Sequence, residues 1–223
     1  MSDTPPLLIW DFDGTLADTF AAIRASAAVA LAAHGFGPCD DAILRAAGGL
    51  ALAEVLTRLA APEALPAEVL ASMVEAYREA FPTHAADATL FPGVPAFLAD
   101  LGDRGVTLAI ATGRRRVSTV DLLARFGIAD RFATVHCEDD LAPGRGKPQP
   151  DLVLRACEAT GWDPSRAVVI GDSPYDVAMG RAAGARTVAV TWGHSEPDAL
   201  RAAGADHVVD DLDGLRRLLD APG

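Results

Sequence analysis

The sequence has little positive charge and almost no lysine. It contains 19 basic and 31 acidic residues among 223, which gives a formal net charge of −12. Proteins that bind nucleic acid usually present a basic surface, so this balance argues against a nucleic-acid partner. A phosphorylated substrate is still possible, but it would need local positive charge. Lys147 is the one lysine, which makes it a candidate for a role that requires a compact ammonium rather than a planar guanidinium.

Cysteines and long hydrophobic runs are also scarce. The cysteines are three in number, widely spaced and without a Cys-x-x-Cys pair. We therefore expect reduced thiols, as in a cytoplasmic protein, rather than a disulfide or zinc framework. No run approaches the roughly 18 apolar residues that a membrane-spanning helix needs, so we predict no membrane partner. Residues 1–6 have neither the basic nor the apolar region of a signal peptide. Monomer and homodimer both remain possible.

Two parts of the chain have different hydrophobic patterns. Residues 7–11 form an apolar run that ends in an acid, which is typical of a buried parallel strand. Beyond residue 90, strands and helices are predicted to alternate, with strands at 106–111, 131–135, 167–171, 186–190 and 206–209, and helices at 94–102, 116–126, 150–160, 174–183, 196–203 and 213–219. This alternation predicts a three-layer, Rossmann-like α/β fold with a parallel sheet.

Between these parts the pattern is helical throughout. Apolar residues recur at helical spacing in 17–33, 41–47, 51–60 and 67–80, with breaks at 35–38, 48–49 and 61–62. We predict an α/β core domain formed by residues 1–16 and 87–223, with an inserted all-α cap domain at 17–86. The two connections between them should lie near 15–18 and 84–92.

The first candidate functional motif follows the first predicted strand directly. In Asp11-Phe12-Asp13-Gly14-Thr15, residues 11 and 13 are two apart in extended chain, so both carboxylates can face one site. Gly14 permits a sharp turn and exposes backbone N–H groups to an anion. An isolated Asp-x-Asp is also common in structural turns, so this motif needs support from elsewhere in the chain.

Three later segments provide that support, because two follow predicted strands and the third precedes a helix. They are Thr112-Gly113, residues 171–176 (Gly-Asp-Ser-Pro-Tyr-Asp), and Lys147 within Gly-Arg-Gly-Lys-Pro. Ligands of open parallel sheets bind at the carboxyl ends of strands, where all of these would meet. Each pair of acids at about 4 Å would repel by about 4 kcal/mol at a dielectric near 20. A divalent cation relieves this repulsion, and oxygen-only ligands favour Mg²⁺.

This arrangement predicts phosphoryl-transfer chemistry. Lys147, the Thr112 hydroxyl and backbone N–H groups would hold the phosphoryl oxygens. Asp11 would then be free to attack phosphorus. Asp13 could protonate the leaving oxygen and later deprotonate water.

The four motifs together resemble those of the haloacid dehalogenase superfamily in order and spacing. They read Asp-Phe-Asp-Gly-Thr-Leu-Ala-Asp-Thr at 11–19, Ala-Thr-Gly-Arg at 111–114, Gly-Lys-Pro-Gln-Pro-Asp at 146–151 and Gly-Asp-Ser-Pro-Tyr-Asp at 171–176. The insert resembles the helical, C1-type cap of the phosphoglycolate phosphatase-like branch. Phe-Pro-Gly-Val at 91–94 looks like that branch's return from cap to core.

The resemblance implies a role for each matching residue. Asp11 would be the nucleophile and a metal ligand, and Asp13 the general acid/base whose backbone carbonyl also binds Mg²⁺. Asp172 would be a metal ligand, and Asp176 a ligand or a partner of the ligands. Asp176 could instead be an exposed acid at a helix N-terminus. The phosphoryl group would be bound by Gly14, Thr112, Gly113 and Lys147.

The resemblance also limits the reaction. Phosphonoacetaldehyde hydrolases and dehalogenases of this superfamily lack the second acid, so Asp13 favours phosphate esters. The predicted function is a Mg²⁺-dependent phosphatase of a small phosphorylated metabolite, with 2-phosphoglycolate as the best guess. A sugar-phosphate mutase similar to β-phosphoglucomutase is the main alternative. A receiver-like phospho-acceptor signalling module, opposed by the chain length and by Asp13, is the other.

Several residues have both a functional and a structural interpretation. Arg24, Arg45 and the turn Gly48-Gly49 lie in the predicted cap, where Arg45, Gly48 and Gly49 are candidates for substrate specificity. The run Arg114-Arg115-Arg116 is interpreted as a solvated helix face, with a substrate contact from Arg114 as the alternative. The five histidines have no metal-ligand spacing, and we interpret them as structural or surface residues.

Overall fold

The computed structural model describes residues 7–60 and 65–221, so the predicted break at 61–62 lies outside the described residues. The strands are β1 (Leu7–Trp10), β2 (Ala17–Asp18), β3 (Thr89–Leu90), β4 (Thr107–Thr112), β5 (Thr134–Cys137), β6 (Ala167–Gly171), β7 (Arg186–Val190) and β8 (His207–Val209). The α-helices are α1 (Phe20–Ala33), α2 (Asp41–Ala46), α3 (Leu52–Ala60), α4 (Ala67–His84), α5 (Val94–Asp103), α6 (Arg116–Arg125), α7 (Asp151–Thr160), α8 (Pro174–Ala183), α9 (Pro197–Ala202) and α10 (Leu212–Asp220).

Six strands form one parallel sheet in the order β5-β4-β1-β6-β7-β8. β1 lies in the middle, with Leu7 paired to Thr107 on one side and to Ala167 on the other. A central parallel strand is covered on both faces, which explains its continuous apolar sequence. The predicted three-layer α/β fold is confirmed.

Alternation along β1 divides the core into two layers. Leu8 and Trp10 face one hydrophobic cluster, while Leu7 and Ile9 face the other. The first cluster includes residues of α5 and α6, and the second includes residues of α7 and α8. Because β1 is packed on both faces and hydrogen-bonded on both edges, the position of the residues that follow it is fixed.

The helices α1–α4 lie between β2 and β3 in the chain and share a hydrophobic cluster of their own. Its buried members include Leu31, Leu44, Leu56 and Met73. Leu56 and Met73 are fully buried. The helical character predicted for this region is therefore observed, and its division from the rest as a cap domain at 17–86 stays a prediction.

A short antiparallel ribbon joins the helical region to the sheet region. Ala17 pairs with Leu90 and Asp18 with Thr89. The sequence did not predict this ribbon, because two residues per strand are too few to show a period of two. As a result α1 begins at Phe20 and not at the predicted residue 17.

The predicted strand at 131–135 is displaced in the structure. Residues Ala129–Arg131 form a single 3-10 turn, and β5 runs over Thr134–Cys137. Phe132, which lies within the predicted range, is buried and packs in the core beside this turn. The shift moves the carboxyl end of β5 to Cys137, which pairs with Thr112 at the same edge of the sheet.

The described part of the chain contains no helix with the length and hydrophobicity needed to cross a membrane. The three cysteines are free and buried, which agrees with the predicted reduced thiols.

Candidate active site

The carboxyl ends of three neighbouring strands bring the predicted site residues together. Asp11 follows β1, Thr112 ends β4 and Asp172 follows β6. All three are buried, with at most 3% of their surface exposed. The backbone N–H of Asp11 donates to the Ile170 carbonyl at 2.9 Å, so the sheet's hydrogen bonding extends to the site itself.

Lys147 reaches this point from the loop before α7. Its Nζ lies 2.5 Å from Oδ1 of Asp11 and 2.6 Å from Oδ1 of Asp176, and its side chain is fully buried. Burial alone would lower the pKa of Lys147, but the carboxylates of Asp11 and Asp176 raise it above its ordinary value. Lys147 is therefore a cation at neutral pH.

Three buried acids could hold a metal ion. Asp11, Asp172 and Asp176 each offer one carboxylate oxygen, and these oxygens lie within 4.8 Å of one another. Burial raises the pKa of Asp11, with Lys147 acting against it, and burial likewise raises the pKa of Asp172. Carboxylates gathered in this way repel each other, and a divalent cation relieves that repulsion. An oxygen-only donor set fits a hard cation.

Asp176 uses its two oxygens differently. Its Oδ2 accepts from the backbone N–H of Ser173 at 3.1 Å and from the Ser173 hydroxyl at 2.6 Å, which closes the first turn of α8. Its Oδ1 faces Lys147. Asp176 is only 1% exposed, so the alternative of an exposed helix-terminal acid is wrong.

Asp13 is bound by two side chains. Nη1 of Arg114 donates to both carboxylate oxygens, at 2.9 and 3.1 Å, and the Thr19 hydroxyl donates to Oδ1 at 2.5 Å. The side chain of Arg114 is 9% exposed, so its interpretation as part of a solvated helix face is wrong. Arg115 and Arg116 are exposed and do pair with acids on the outside of the molecule.

Glycines allow the loops to come this close. Gly14 has a φ of +78°, and a Cβ there would lie 2.2 Å from Oδ2 of Asp172. Gly49 has a φ of +91°, and its Cβ would lie 2.6 Å from the Ser173 hydroxyl. At Gly113 a Cβ would lie 2.8 Å from the Gly49 carbonyl. The predicted cap turn thus packs directly against loops of the sheet region.

A cavity of about 590 Å³ opens from these residues. Asp11, Asp13, Thr112 and Gly113 lie in its wall, which also includes the apolar side chains of Phe20, Ile23, Val55, Val74, Tyr77 and Phe81 from α1, α3 and α4. Gly48 and Gly49 line it too. The polar site residues and the apolar side chains of the helices therefore line the same cavity.

Neither Arg45 nor Arg24 belongs to the described lining of the cavity. The exposed Arg45 packs its guanidinium 3.9 Å from the centre of the Phe20 ring and donates to the His194 carbonyl at 3.4 Å. Arg24 pairs with Asp41 on the surface.

His194 and Thr19 are site residues that the sequence reasoning missed. The backbone N–H of His194 donates to Oδ2 of Asp172 at 2.7 Å, and its side chain, 8% exposed, lines the cavity. Its position soon after β7 was a usable signal, because that strand ends at the same edge of the sheet. Thr19 ends the first motif, but its uncharged side chain does not mark it in the sequence as a partner of Asp13.

A parallel sheet whose carboxyl edge gathers buried acids, a buried lysine and an adjoining cavity has the layout of an enzyme active site. The family model described as "Haloacid dehalogenase-like hydrolase" matches residues 8–190. The chain belongs to this family, which confirms the resemblance inferred from its motifs.

Individual relatives agree with this assignment. An N-acetylmuramic acid 6-phosphate phosphatase of Pseudomonas aeruginosa is 31% identical, with 96% of this chain and 94% of the relative covered. A phosphoglycolate phosphatase of Cupriavidus necator is 34% identical, with coverages of 94% and 90%. A putative haloacid dehalogenase-like hydrolase from Bacteroides fragilis superposes with a TM-score of 0.87 at 25% identity, over 95% of this chain and all of that one. The predicted enzyme class, a phosphatase of the haloacid dehalogenase type, is confirmed.

Proposed function

We propose that this protein is a Mg²⁺-dependent phosphatase that forms a phospho-aspartyl intermediate on Asp11. The observation that carries the proposal is the buried Asp11 carboxylate, 2.5 Å from the Lys147 ammonium and within 4.8 Å of ligand oxygens from Asp172 and Asp176. The three acids would hold the ion. When bound, Mg²⁺ would neutralise part of their charge and polarise a phosphoryl oxygen.

The first step uses Asp11 and Asp13. A carboxylate oxygen of Asp11 attacks phosphorus, and the bond between phosphorus and the ester oxygen breaks. The leaving oxygen takes a proton from the carboxylic acid of Asp13, which becomes a carboxylate. The product alcohol then departs and the phosphoryl group remains on Asp11.

The second step restores the enzyme. The Asp13 carboxylate removes a proton from water, whose oxygen attacks phosphorus and displaces the Asp11 carboxylate as inorganic phosphate forms. In both steps Lys147, the Thr112 hydroxyl and backbone N–H groups at Gly14 and Gly113 would bind the non-bridging oxygens.

We infer that the substrate is a phosphate monoester of a hydroxy acid. The relatives named above are named for phosphoglycolate and for N-acetylmuramic acid 6-phosphate, and both names denote the phosphate of a carboxylic acid. 2-Phosphoglycolate remains the leading candidate. The cavity of about 590 Å³, with its apolar wall, favours N-acetylmuramic acid 6-phosphate as the second candidate, because a sugar would fill more of it.

We also propose that residues 17–86 act as a cap that selects the substrate. The apolar wall of the cavity comes from α1, α3 and α4, whereas the reacting groups come from the sheet region. Gly48 and Gly49, which line the cavity, are the stronger specificity candidates in this segment, and Arg45 is the weaker one.

The test is phosphate release from a panel of esters, with Mg²⁺ and with excess chelator. The panel contains 2-phosphoglycolate, N-acetylmuramic acid 6-phosphate, N-acetylglucosamine 6-phosphate and β-glucose 1-phosphate. Asp11→Asn should lose about three powers of ten or more in rate, because the covalent route disappears. Asp198→Asn, at a side chain that is 98% exposed on α9, is the matched control and should retain wild-type activity.

Two outcomes would overturn the proposal. Activity that survives Asp11→Asn would exclude the phospho-aspartyl route, and activity in excess chelator would exclude the metal. Conversion of β-glucose 1-phosphate to its 6-phosphate isomer, dependent on a sugar bisphosphate and without net phosphate release, would identify a mutase instead.

A further inference from the structure

Arg114 is a buried cation in the wall of the cavity, beside the proposed general acid. Its side chain is 9% exposed, and Nη1 donates to both oxygens of Asp13. Its Nε is also buried, yet it has no hydrogen-bond partner among the described residues. Buried donors are normally paired. The guanidinium therefore has capacity for an acceptor that the protein itself does not supply.

The position of this guanidinium is set from two sides. Its carbon lies 4.4 Å from the centre of the Phe81 ring on α4 and 5.8 Å from that of Phe12 next to the nucleophile. Its backbone N–H donates to the Thr112 hydroxyl at 3.2 Å. Stacking of arginine on aromatic faces restricts its movement mainly to sliding in the plane of the rings. Arg114 is thus held between the phosphoryl-binding loop and Asp13.

The other arginines in the described cavity lining are placed differently. Arg78 also has a buried Nε without a partner among the described residues, but its side chain is 33% exposed and pairs with Glu75 on α4. Arg115 pairs with Asp139 and is 44% exposed. In an ester of glycolate the carboxylate carbon is two bonds, about 2.5 Å, from the leaving oxygen. A cation that binds this carboxylate must therefore lie next to the acid that meets the leaving oxygen, and Arg114 has that position.

The contacts of Asp13 conflict with its proposed role. Oδ2 accepts from Arg114, and Oδ1 accepts from both Arg114 and Thr19. Oδ2, held among the described residues by Arg114 alone, is the oxygen that can turn towards the leaving group, and turning it breaks its contact with Arg114. A carboxylate on the substrate is an equivalent planar acceptor for the same guanidinium, and one ion pair can therefore replace the other.

We propose that Arg114 recognises a carboxylate adjacent to the ester oxygen and releases Asp13 in doing so. This inference rests on the proposed function and assigns to it a substrate class, the phosphates of 2-hydroxy acids. Arg114 is a specificity-determining residue in addition to those proposed for residues 17–86 and, in the absence of substrate, a positioning residue for Asp13.

The first experiment compares 2-phosphoglycolate with 2-hydroxyethyl phosphate, in which a CH₂OH group replaces the carboxylate. The readout is the ratio of kcat/KM for the two esters. In the wild type this ratio should be about 10 to 100, the effect of one hydrogen bond to a charged group. Arg114→Gln should bring it close to 1, and Arg114→Lys should retain an intermediate ratio because the charge remains.

Arg201→Gln is the matched control. Arg201 forms an ion pair with an acid three residues earlier on α9, a spacing that Arg78 also shows on α4. It does not belong to the described cavity lining. This variant should keep the wild-type ratio. If the wild type cleaves both esters and Arg114→Gln has the same ratio of kcat/KM as the wild type, the inference about Arg114 is overturned while the proposed function stands. A wild type that releases no phosphate from any ester in Mg²⁺ would overturn the proposed function itself.

The second experiment tests the exchange without turnover and does not require an Arg114 variant to fold. Glycolate binding is measured by calorimetry for the wild type and for Asp13→Asn. Asparagine has no charge, so the interaction of Arg114 with residue 13 is weaker in this variant. Glycolate should then bind Asp13→Asn about 10-fold more tightly, as expected when a competing ion pair is weakened. Equal or weaker binding by Asp13→Asn would overturn the exchange.

Discussion

Replacement of Lys147 by glutamine tests the electrostatic balance of the site directly. The lysine is fully buried between Asp11 and Asp176, with ion-pair distances of 2.5 and 2.6 Å. Without it, three buried acids remain whose ligand oxygens lie within 4.8 Å of one another. Two unit charges at this distance repel by about 3 kcal/mol at an effective dielectric of about 20. Removal of one partner from a buried ion pair typically costs about 3–5 kcal/mol.

We therefore expect Lys147→Gln to lower the free energy of unfolding by about 3–5 kcal/mol in metal-free protein at neutral pH. Domains have only about 5–15 kcal/mol in total, so the loss should be obvious in urea unfolding. When excess Mg²⁺ replaces the chelator, the free energy of unfolding should rise more for the variant than for the wild type, because the ion neutralises the acids that Lys147 had balanced.

The control is Arg145→Gln, two residues earlier in the same loop. Arg145 pairs with Asp151, but its side chain is 56% exposed, so its loss should change the unfolding free energy by less than about 1 kcal/mol. A destabilisation below about 1 kcal/mol for Lys147→Gln in chelator would refute the reasoning, since the acids would then not depend on the lysine. If Mg²⁺ stabilises Lys147→Gln and the wild type equally, the inference that the ion neutralises the acids that Lys147 had balanced is refuted.

Two further substitutions probe the surroundings of the site. Gly14→Ala places a Cβ 2.2 Å from Oδ2 of Asp172 at a φ of +78°, so it should displace this acid and weaken Mg²⁺ binding about 10- to 100-fold in a calorimetric titration; wild-type affinity would contradict this. Burial, and secondarily Asp139, raises the pKa of Glu138 from 4.5 to about 7. The folded state then holds a proton that the unfolded state has released, so stability falls as pH rises from about 4.5 to 7. Glu138→Gln removes this effect and should raise the midpoint of thermal unfolding more at pH 8 than at pH 5, and an equal shift at both would contradict the assignment.

The fold was largely predictable because the sheet is parallel and its strands are separated by helices. Continuous apolar runs such as β1 and β6 are long enough to be recognised alone. The displacement of β5 has a local cause, because Phe132 supplies a hydrophobic residue that packs in the core without joining the sheet. The β2–β3 ribbon depends on pairing between residues 17 and 90, which no local pattern can report.

The site was predictable where the chemistry follows a strand, as at Asp11, Thr112 and Asp172. Arg114 was misinterpreted because three consecutive arginines look alike in sequence. Only the first turns inward, where it meets an acid 101 residues away and a ring on α4. His194 was missed because it lies 22 residues from Asp172 in the chain, which it meets through its backbone N–H at 2.7 Å and its Nδ1 at 3.7 Å.

The β2–β3 ribbon makes the chain leave the sheet region and return to it at one point. Ala17 and Leu90, 73 positions apart, are direct neighbours there. No described strand of the parallel sheet lies between them in the chain. The apolar side chains of α1, α3 and α4 that line the cavity therefore belong to one uninterrupted stretch of chain, whereas Asp11, Lys147 and Asp172 lie outside it.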